Sequence, residues 1–265
     1  MVENHDAAMA AAAYIETELT AAGLQPTSID VTGMGVTLPT VWAAIPGKTC
    51  PNRVFVLTAH YDTVAGSPGA DDDASGVAGV LETARVLAGA GLPITVVIAA
   101  VPFEEPGPPF IGAEALAAEL IDRRQQTVVG MVSAEMLGYA LSEPRADGDR
   151  GDYLNVLGYR GAEAMVNSFA TASAAWGGGK VEASTVDDTV SYIGRSDHAA
   201  FHARGIPAAF ATDGADFRTP HYHRSSDTPE NIVSGFFVGS VKTLVAGTIA
   251  VASRNLGGVA AEACR

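Results

Sequence analysis

Six side chains able to bind a metal or move a proton sit in five separated segments of the chain. They are His60 in AHYDT, Asp72 in GADDDASG, Glu104 and Glu105 in PFEEPG, Glu135 in VSAEMLGY and His223 in HYHRSSDT. No one segment is decisive. Together they offer two imidazoles, a carboxylate able to bridge, two further carboxylates and a spare glutamate. That donor set suits a pair of Zn²⁺ ions activating water for attack on a carbonyl.

Each of these residues also has a plainer reading. A histidine after a strand is commonly just hydrogen-bonded. Here Asp62 stands two places on, and in an extended segment i and i+2 share a face, so Asp62 can orient the His60 ring. Asp71–Asp72–Asp73 suits the start of a helix, yet three adjacent carboxylates repel one another unless a cation is near. Glu104–Glu105 follows an apolar run, where burying a carboxylate is costly; adjacent glutamates let one bind metal while the other acts as general base. Glu135 closes GMVSAE and would, alone, equally pair with an arginine. His221 and His223 face the same side of an extended segment, and spacing does not choose between them. Tyr222 reads either as a donor to a developing oxyanion or as a packing aromatic. Arg195 and Arg218 either anchor a substrate carboxylate or pair with the acidic shell.

The elements needed to gather these residues are legible as an alternation. Helices are expected over Ala7–Ala22, Ser75–Ala88, Gly112–Arg123, Ala162–Ala174, Asp197–Ala203 and Glu230 to about Asn255. Strands are expected over Val36–Ile45, Val54–Ala59, Ile94–Val101, Val128–Ala134, Tyr153–Leu157, Val181–Thr185 and Pro207–Thr212. Alternation of this kind predicts an α/β fold with a mostly parallel sheet and helices on both faces. His60, Glu104, Glu105 and Glu135 each follow a buried strand. Loops at the carboxyl ends of such strands line the binding crevice of an open α/β sheet, so distant residues would converge there.

Composition sets the outer bounds. The 265 residues are 48% hydrophobic, enough for a sizeable core, and the whole chain, residues 1–265, reads as one domain. A net charge of −14 argues against nucleic acid or an anionic membrane as partner. The apolar stretch Ile232–Ala252 contains Lys242 and several Gly and Ser, and reads as a packed helix. The start, MVENHDAAMA, lacks the basic and apolar regions of a signal peptide. A trimmed leader would imply a secreted or periplasmic protein, its absence a cytoplasmic one. Cys50 lies in a Pro/Gly/Lys loop and Cys264 beside the C-terminus. A bridge between them is disfavoured, since spacing alone cannot show that their geometry allows it, and whether they pair is left open.

Taken jointly, HYDT, GADDDASG, FEEP, AEMLGY, GRSDHAAFHARGIPA and YHRSSDTPENI resemble the di-zinc aminopeptidases of peptidase family M28, whose wider group includes glutaminyl cyclases and glutamate carboxypeptidase II. The resemblance spans nearly the whole chain. It implies a zinc-exopeptidase-like fold in which Asp72 bridges two ions, His60 and Glu135 complete one site, and Glu105 and His223 the other. It implies Glu104 as general base, Asp62 as the partner of His60, Tyr222 as oxyanion donor, and a cis peptide at Asp72–Asp73. The expected cofactors are two Zn²⁺, with Co²⁺ or Mn²⁺ as alternatives, and the expected partner is a peptide with a free N-terminus. Three departures stand out. Most members carry Asp where Glu135 stands, the usual Gly-Ser after the paired glutamates is Gly112–Ala113, and a DxKG segment and an inserted lid are not seen. The rival readings are a glutaminyl-cyclase-like transferase, a di- or carboxypeptidase use of the same centre, and a binding domain that has lost catalysis. Oligomeric state is left open.

Overall fold

The computed structural model describes residues 5–146, 148–254 and 264. The eight strands are β1 (Thr27–Gly33), β2 (Val36–Ile45), β3 (Cys50–His60), β4 (Ile94–Val101), β5 (Thr127–Glu135), β6 (Tyr153–Tyr159), β7 (Lys180–Val186) and β8 (Ala208–Thr212). They form one sheet in the order β1-β2-β4-β3-β5-β8-β6-β7. Its centre, β4-β3-β5-β8, is parallel throughout. β2 runs antiparallel to β4, and β6 antiparallel to β8. The α-helices are α1 (His5–Ala21), α2 (Ala74–Leu87), α3 (Ile111–Ala118), α4 (Glu163–Trp176), α5 (His198–His202) and α6 (Ser234–Ser253).

The central strands are apolar on both sides, as burial on two faces requires. All eight residues of β4, ITVVIAAV, are buried. In β3, Phe55, Leu57 and Ala59 enter one core with α1, α2, α4 and α6. Val54 and Val56 enter the other, with α3 and α5. Buried Ala8, Ala12, Ile15 and Leu19 recur at helical spacing on α1 and make its inner stripe. Asp73 caps α2, its carboxylate accepting from Gly76 N at 3.1 Å.

Four sequence expectations are corrected. β1 is not among the expected strands; it forms a hairpin with β2 through Met34 and Gly35, both at positive φ (51° and 80°). The last helix begins at Ser234, not Glu230. Ile232 and Val233 are extended, and Val233 N donates to Gly138 O at 2.8 Å, which ties the chain to the β5 loop before the helix starts. Asn255, its expected end, lies outside the described residues. α3 stops at Ala118 and a wider turn, Glu119–Arg123, continues it, with Arg124 N bonded to Glu119 O. Finally, Cys50 is not in a loop but is the buried first residue of β3, and it is disulfide-bonded to Cys264, with Cα atoms 4.8 Å apart.

α6 is long and apolar enough to cross a membrane by composition. Here Leu244 and Gly247 are buried, with the Phe169 ring of α4 lying directly against Gly247. The disulfide pins the chain end to the sheet across 214 residues of sequence. Closing so long a loop restricts the unfolded chain, so Cys264→Ser should cost about 2–5 kcal/mol of stability. A denaturant midpoint unchanged between this variant and the parent would refute that role.

Candidate metal centre

The four parallel strands present their carboxyl ends on one edge. His60 is the last residue of β3 and Glu135 the last of β5, while Glu104 follows β4 by three residues. The loop bearing Glu104 and Glu105 is held from two directions. Asp62 accepts from Glu104 N at 3.1 Å and from Glu105 N at 3.3 Å. Gly112 opens α3 against Pro102, where an added Cβ would collide with the backbone. That close approach is why a glycine stands there.

Asp72 lies at the middle. Its Oδ1 is 3.2 Å from His60 Nε2, and its Oδ2 is 3.2 Å from His223 Nε2. Glu135 Oε1 is 3.6 Å from His60 Nε2, and Glu105 Oε2 is 3.0 Å from His223 Nε2. Two groups result, His60–Asp72–Glu135 and Asp72–Glu105–His223, each with donor atoms within 4.8 Å of one another. Asp72 belongs to both. Glu104 belongs to neither, and is 7% exposed. The Asp72–Asp73 peptide is cis.

Neighbours fix these side chains. Glu135 Oε2 accepts from Ser196 Oγ at 2.7 Å. His60 Nδ1 sits 3.0 Å from the backbone carbonyl of Asp62, whose carboxylate is farther, at 3.6 Å, and is engaged by the Glu104–Glu105 backbone. So Asp62 meets the His60 ring chiefly through its main chain. The three adjacent aspartates divide their tasks. Asp71 accepts from Gly138 N, and Asp73 accepts from His60 N and Met136 N while capping α2. Only Asp72 is left to face the cluster. Asp227, which is not among the residues expected from sequence, holds Asp72 in place by accepting from the backbone N–H of both Asp71 and Asp72, at 2.9 and 3.1 Å. The signal that could have found it is the DTP that follows His223. Asp197 is fully buried, and neither of its carboxylate oxygens has a hydrogen-bond partner among the described residues.

Among the described residues nine carboxylates are buried, against a single buried guanidinium, that of Arg218. Such an excess is costly unless cations offset it. Burial holds Glu104 well above the ordinary carboxylate range, and Glu135, Asp197 and Glu105 push the same way against the pull of His60. Burial also opposes ionisation of Asp72, yet His223 and His60 bring it down to about 2. Contacts with Asp72 and Glu105 raise His223 to about 9. Burial lowers His60, but Glu135, Glu104, Asp62 and Asp72 outweigh it and leave the ring well above its usual value.

The residues pass a test of fit to metal. His60 Nε2, Asp72 Oδ2 and Glu105 Oε1 are buried without a hydrogen-bond partner, despite the short separations. Buried polar atoms are nearly always paired. These three belong to the two donor groups, and imidazole with carboxylate is the chemistry of a divalent transition-metal site. Tyr222 stacks on His223 with ring centroids 3.7 Å apart, and its hydroxyl lies 3.4 Å from Arg195 Nη2. Burial and the nearby Asp72 raise its pKa, so it stays a neutral phenol with a proton to donate. Arg195 itself pairs with Asp216 at 3.0 Å. His221 bonds Ser226 Oγ at 2.9 Å and is not part of either group.

A cavity of about 430 Å³ opens beside Asp72, Glu104 and Glu135 and includes Tyr222, Arg195 and Arg218 in its wall.

The chain is similar to several known proteins. The protein named Uncharacterized protein YfbL, of Escherichia coli K12, is 30% identical over 254 residues, 87% of this chain and 76% of its own. A probable zinc metalloprotease of Pyrenophora teres is 37% identical over 124 residues, which are 44% of this chain and 24% of that protein. The chain thus spans three quarters of the first relative and only a quarter of the second. The LapA aminopeptidase of Legionella pneumophila superposes with a TM-score of 0.75 at 24% identity, covering 95% of this chain and 67% of LapA. A glutaminyl cyclase of Porphyromonas gingivalis superposes with a TM-score of 0.69 at 17% identity, covering 90% and 88%. At those identities the structural likeness is one of fold. Residues 40–246 match the family model described as Peptidase family M28, and with that match over most of its length the chain belongs to peptidase family M28.

Proposed function

We propose that the protein is a two-zinc exopeptidase that removes the N-terminal residue of peptides. One observation carries this reading: Asp72 turns one carboxylate oxygen to each of two histidine-containing donor groups. In this reading His60 and Glu135 hold one ion, Glu105 and His223 the other, and Asp72 both. The names of relatives, a zinc metalloprotease and an aminopeptidase, support the same metal and the same class of substrate. Bound zinc would supply an acidified water and polarise the scissile carbonyl.

The remaining work falls to the side chains. Glu104 lies in the cavity wall outside both donor groups, so its carboxylate is free to take a proton from the attacking water and pass it to the departing amine. Tyr222, in the same wall, donates to the oxyanion as the carbonyl carbon becomes tetrahedral. A free ammonium at the substrate N-terminus suits this acidic wall, and a blocked one forfeits that attraction.

The deciding measurement is metal content together with turnover of paired substrates. Two zinc ions per chain are expected, with hydrolysis of aminoacyl-p-nitroanilides and dipeptides and a loss of at least about tenfold in kcat/KM on N-acetylation, the worth of one charge-assisted contact. Preference for the blocked substrates would overturn the aminopeptidase reading. Ammonia release from N-terminal glutamine without chain cleavage would replace it with cyclase chemistry.

A further inference from the structure

The wall of the 430 Å³ cavity holds a cation that the mechanism above does not use. Arg218 is 7% exposed and lines the cavity wall. Its Nη1 donates to Tyr153 O at 2.8 Å, and its guanidinium carbon lies 4.5 Å from the centroid of the Tyr153 ring. Gly214, at φ 117°, covers its other side, and an added Cβ there would stand 3.3 Å from Nε. The guanidinium is therefore fixed in direction, a cation held over an aromatic face.

What it lacks is a carboxylate. Among the described residues none lies within 4.0 Å of Arg218, whereas Arg195 in the same wall is paired with Asp216. The Gly151 N–H and, less strongly, Arg218 and Arg145 lower the pKa of Asp149, whose oxygens accept from Gly151 N and Tyr153 Oη. Arg145, a third cation of this wall, donates to Phe217 O. The wall thus carries three guanidinium groups beside Asp149 and Asp216, in addition to the acidic Asp72, Glu104 and Glu135. Held among the described residues by one carbonyl and one ring, the buried guanidinium retains donors in a fixed planar fork, the shape that recognises a carboxylate.

We propose that the cavity wall around Arg218 is a carboxylate subsite with Arg218 as its specificity-determining residue. The substrate would carry its ammonium toward the carboxylates beside the metal centre and an anionic group toward Arg218. That anion is either the side chain of an N-terminal Asp or Glu or the C-terminal carboxylate of a very short peptide. The proposal rests on the exopeptidase reading for its substrates but not for its binding chemistry.

Binding tests it first. Glutarate and its monoamide, titrated calorimetrically into the zinc-loaded protein, share one carboxylate and differ in the second. Glutarate should bind about 10- to 100-fold tighter, the worth of a charge-assisted hydrogen bond, and Arg218→Gln should bring the ratio close to one. Equal binding of the two by the unmodified protein overturns the proposal without reliance on any variant, and a ratio that survives in a folded Arg218→Gln overturns the role of Arg218. Turnover then separates the two sources. A preference for Glu- over Gln-p-nitroanilide assigns the side chain, and a preference for Leu-Leu over Leu-Leu-amide assigns the peptide terminus. Failure to hydrolyse any of the four would sink the exopeptidase reading and leave the glutarate comparison to judge the subsite.

Discussion

Glu104→Gln should reduce kcat by about 10²–10⁴-fold, the usual worth of a positioned general base, while zinc stays bound at two ions per chain. The substitution keeps the shape of the side chain and removes its ability to accept a proton. Its backbone anchor is untouched, because Asp62 receives the N–H of residue 104 and not its side chain. Glu104 is also outside both donor groups, whereas its neighbour Glu105 is a member of one. Glu105→Gln should therefore act differently, by loss of zinc first and of activity as a consequence. Metal analysis beside steady-state kinetics distinguishes the two. A Glu104→Gln protein with kcat within tenfold of the parent, or one that has lost its zinc, would rule out Glu104 as the general base.

The contrast between adjacent glutamates shows what a sequence can convey about such a site. Residue types and strand ends are readable. β4 is an eight-residue apolar run, and a carboxylate just beyond it has to lie at the edge of a buried sheet. What spacing does not supply is the division of labour between neighbours. Asp71, Asp72 and Asp73 are chemically equivalent in sequence. They differ because Asp71 and Asp73 each meet backbone N–H groups of the β5 loop and Asp72 does not. Asp227 is hidden for the same reason: its role depends on packing against a segment 155 residues earlier in the chain.

Two features of the fold are hidden for more local reasons. β1 carries only Ile29 and Val31 as large apolar residues and is half exposed, so its alternation is faint. Its hairpin turn has Met34 at positive φ, where Asn or Gly would have announced the turn. The Cys50–Cys264 bond joins residues 214 apart, and no local pattern reports such a meeting. The cavity wall around Arg218 is a third case. Tyr153, Gly214 and Arg218 come from β6 and from the loop after β8, neighbours only because those two strands pair antiparallel.

Asp72→Asn should cost the protein both metal ions at once. The asparagine keeps one oxygen but loses the charge, and among the described residues Asp72 alone belongs to both donor groups. Zinc should fall from two ions per chain to near none, with turnover lost alongside, an effect larger than the roughly 10–100-fold in affinity that an outer partner of a ligand contributes. Loss of a single ion would refute a shared carboxylate. The dependence on pH has a definite sign. An imidazole must be neutral to take a metal, and in protein stripped by chelation Asp72 and Glu105 hold His223 protonated up to about 9. Zinc therefore displaces a proton, and its affinity rises with pH toward that value. In the stripped protein the same raised pKa contributes stability that is full below the ordinary imidazole value of about 6.5 and is lost as pH climbs through about 9. At fixed free zinc, the increase in Tm on loading should thus widen between about pH 6.5 and pH 9. At 100 times Kd the gain from one site is about 2.7 kcal/mol, or roughly 5–10 °C for a chain of this size. Calorimetry in buffers of different ionisation enthalpy would count the protons released, and a count of zero at pH 7 would exclude His223 as a ligand.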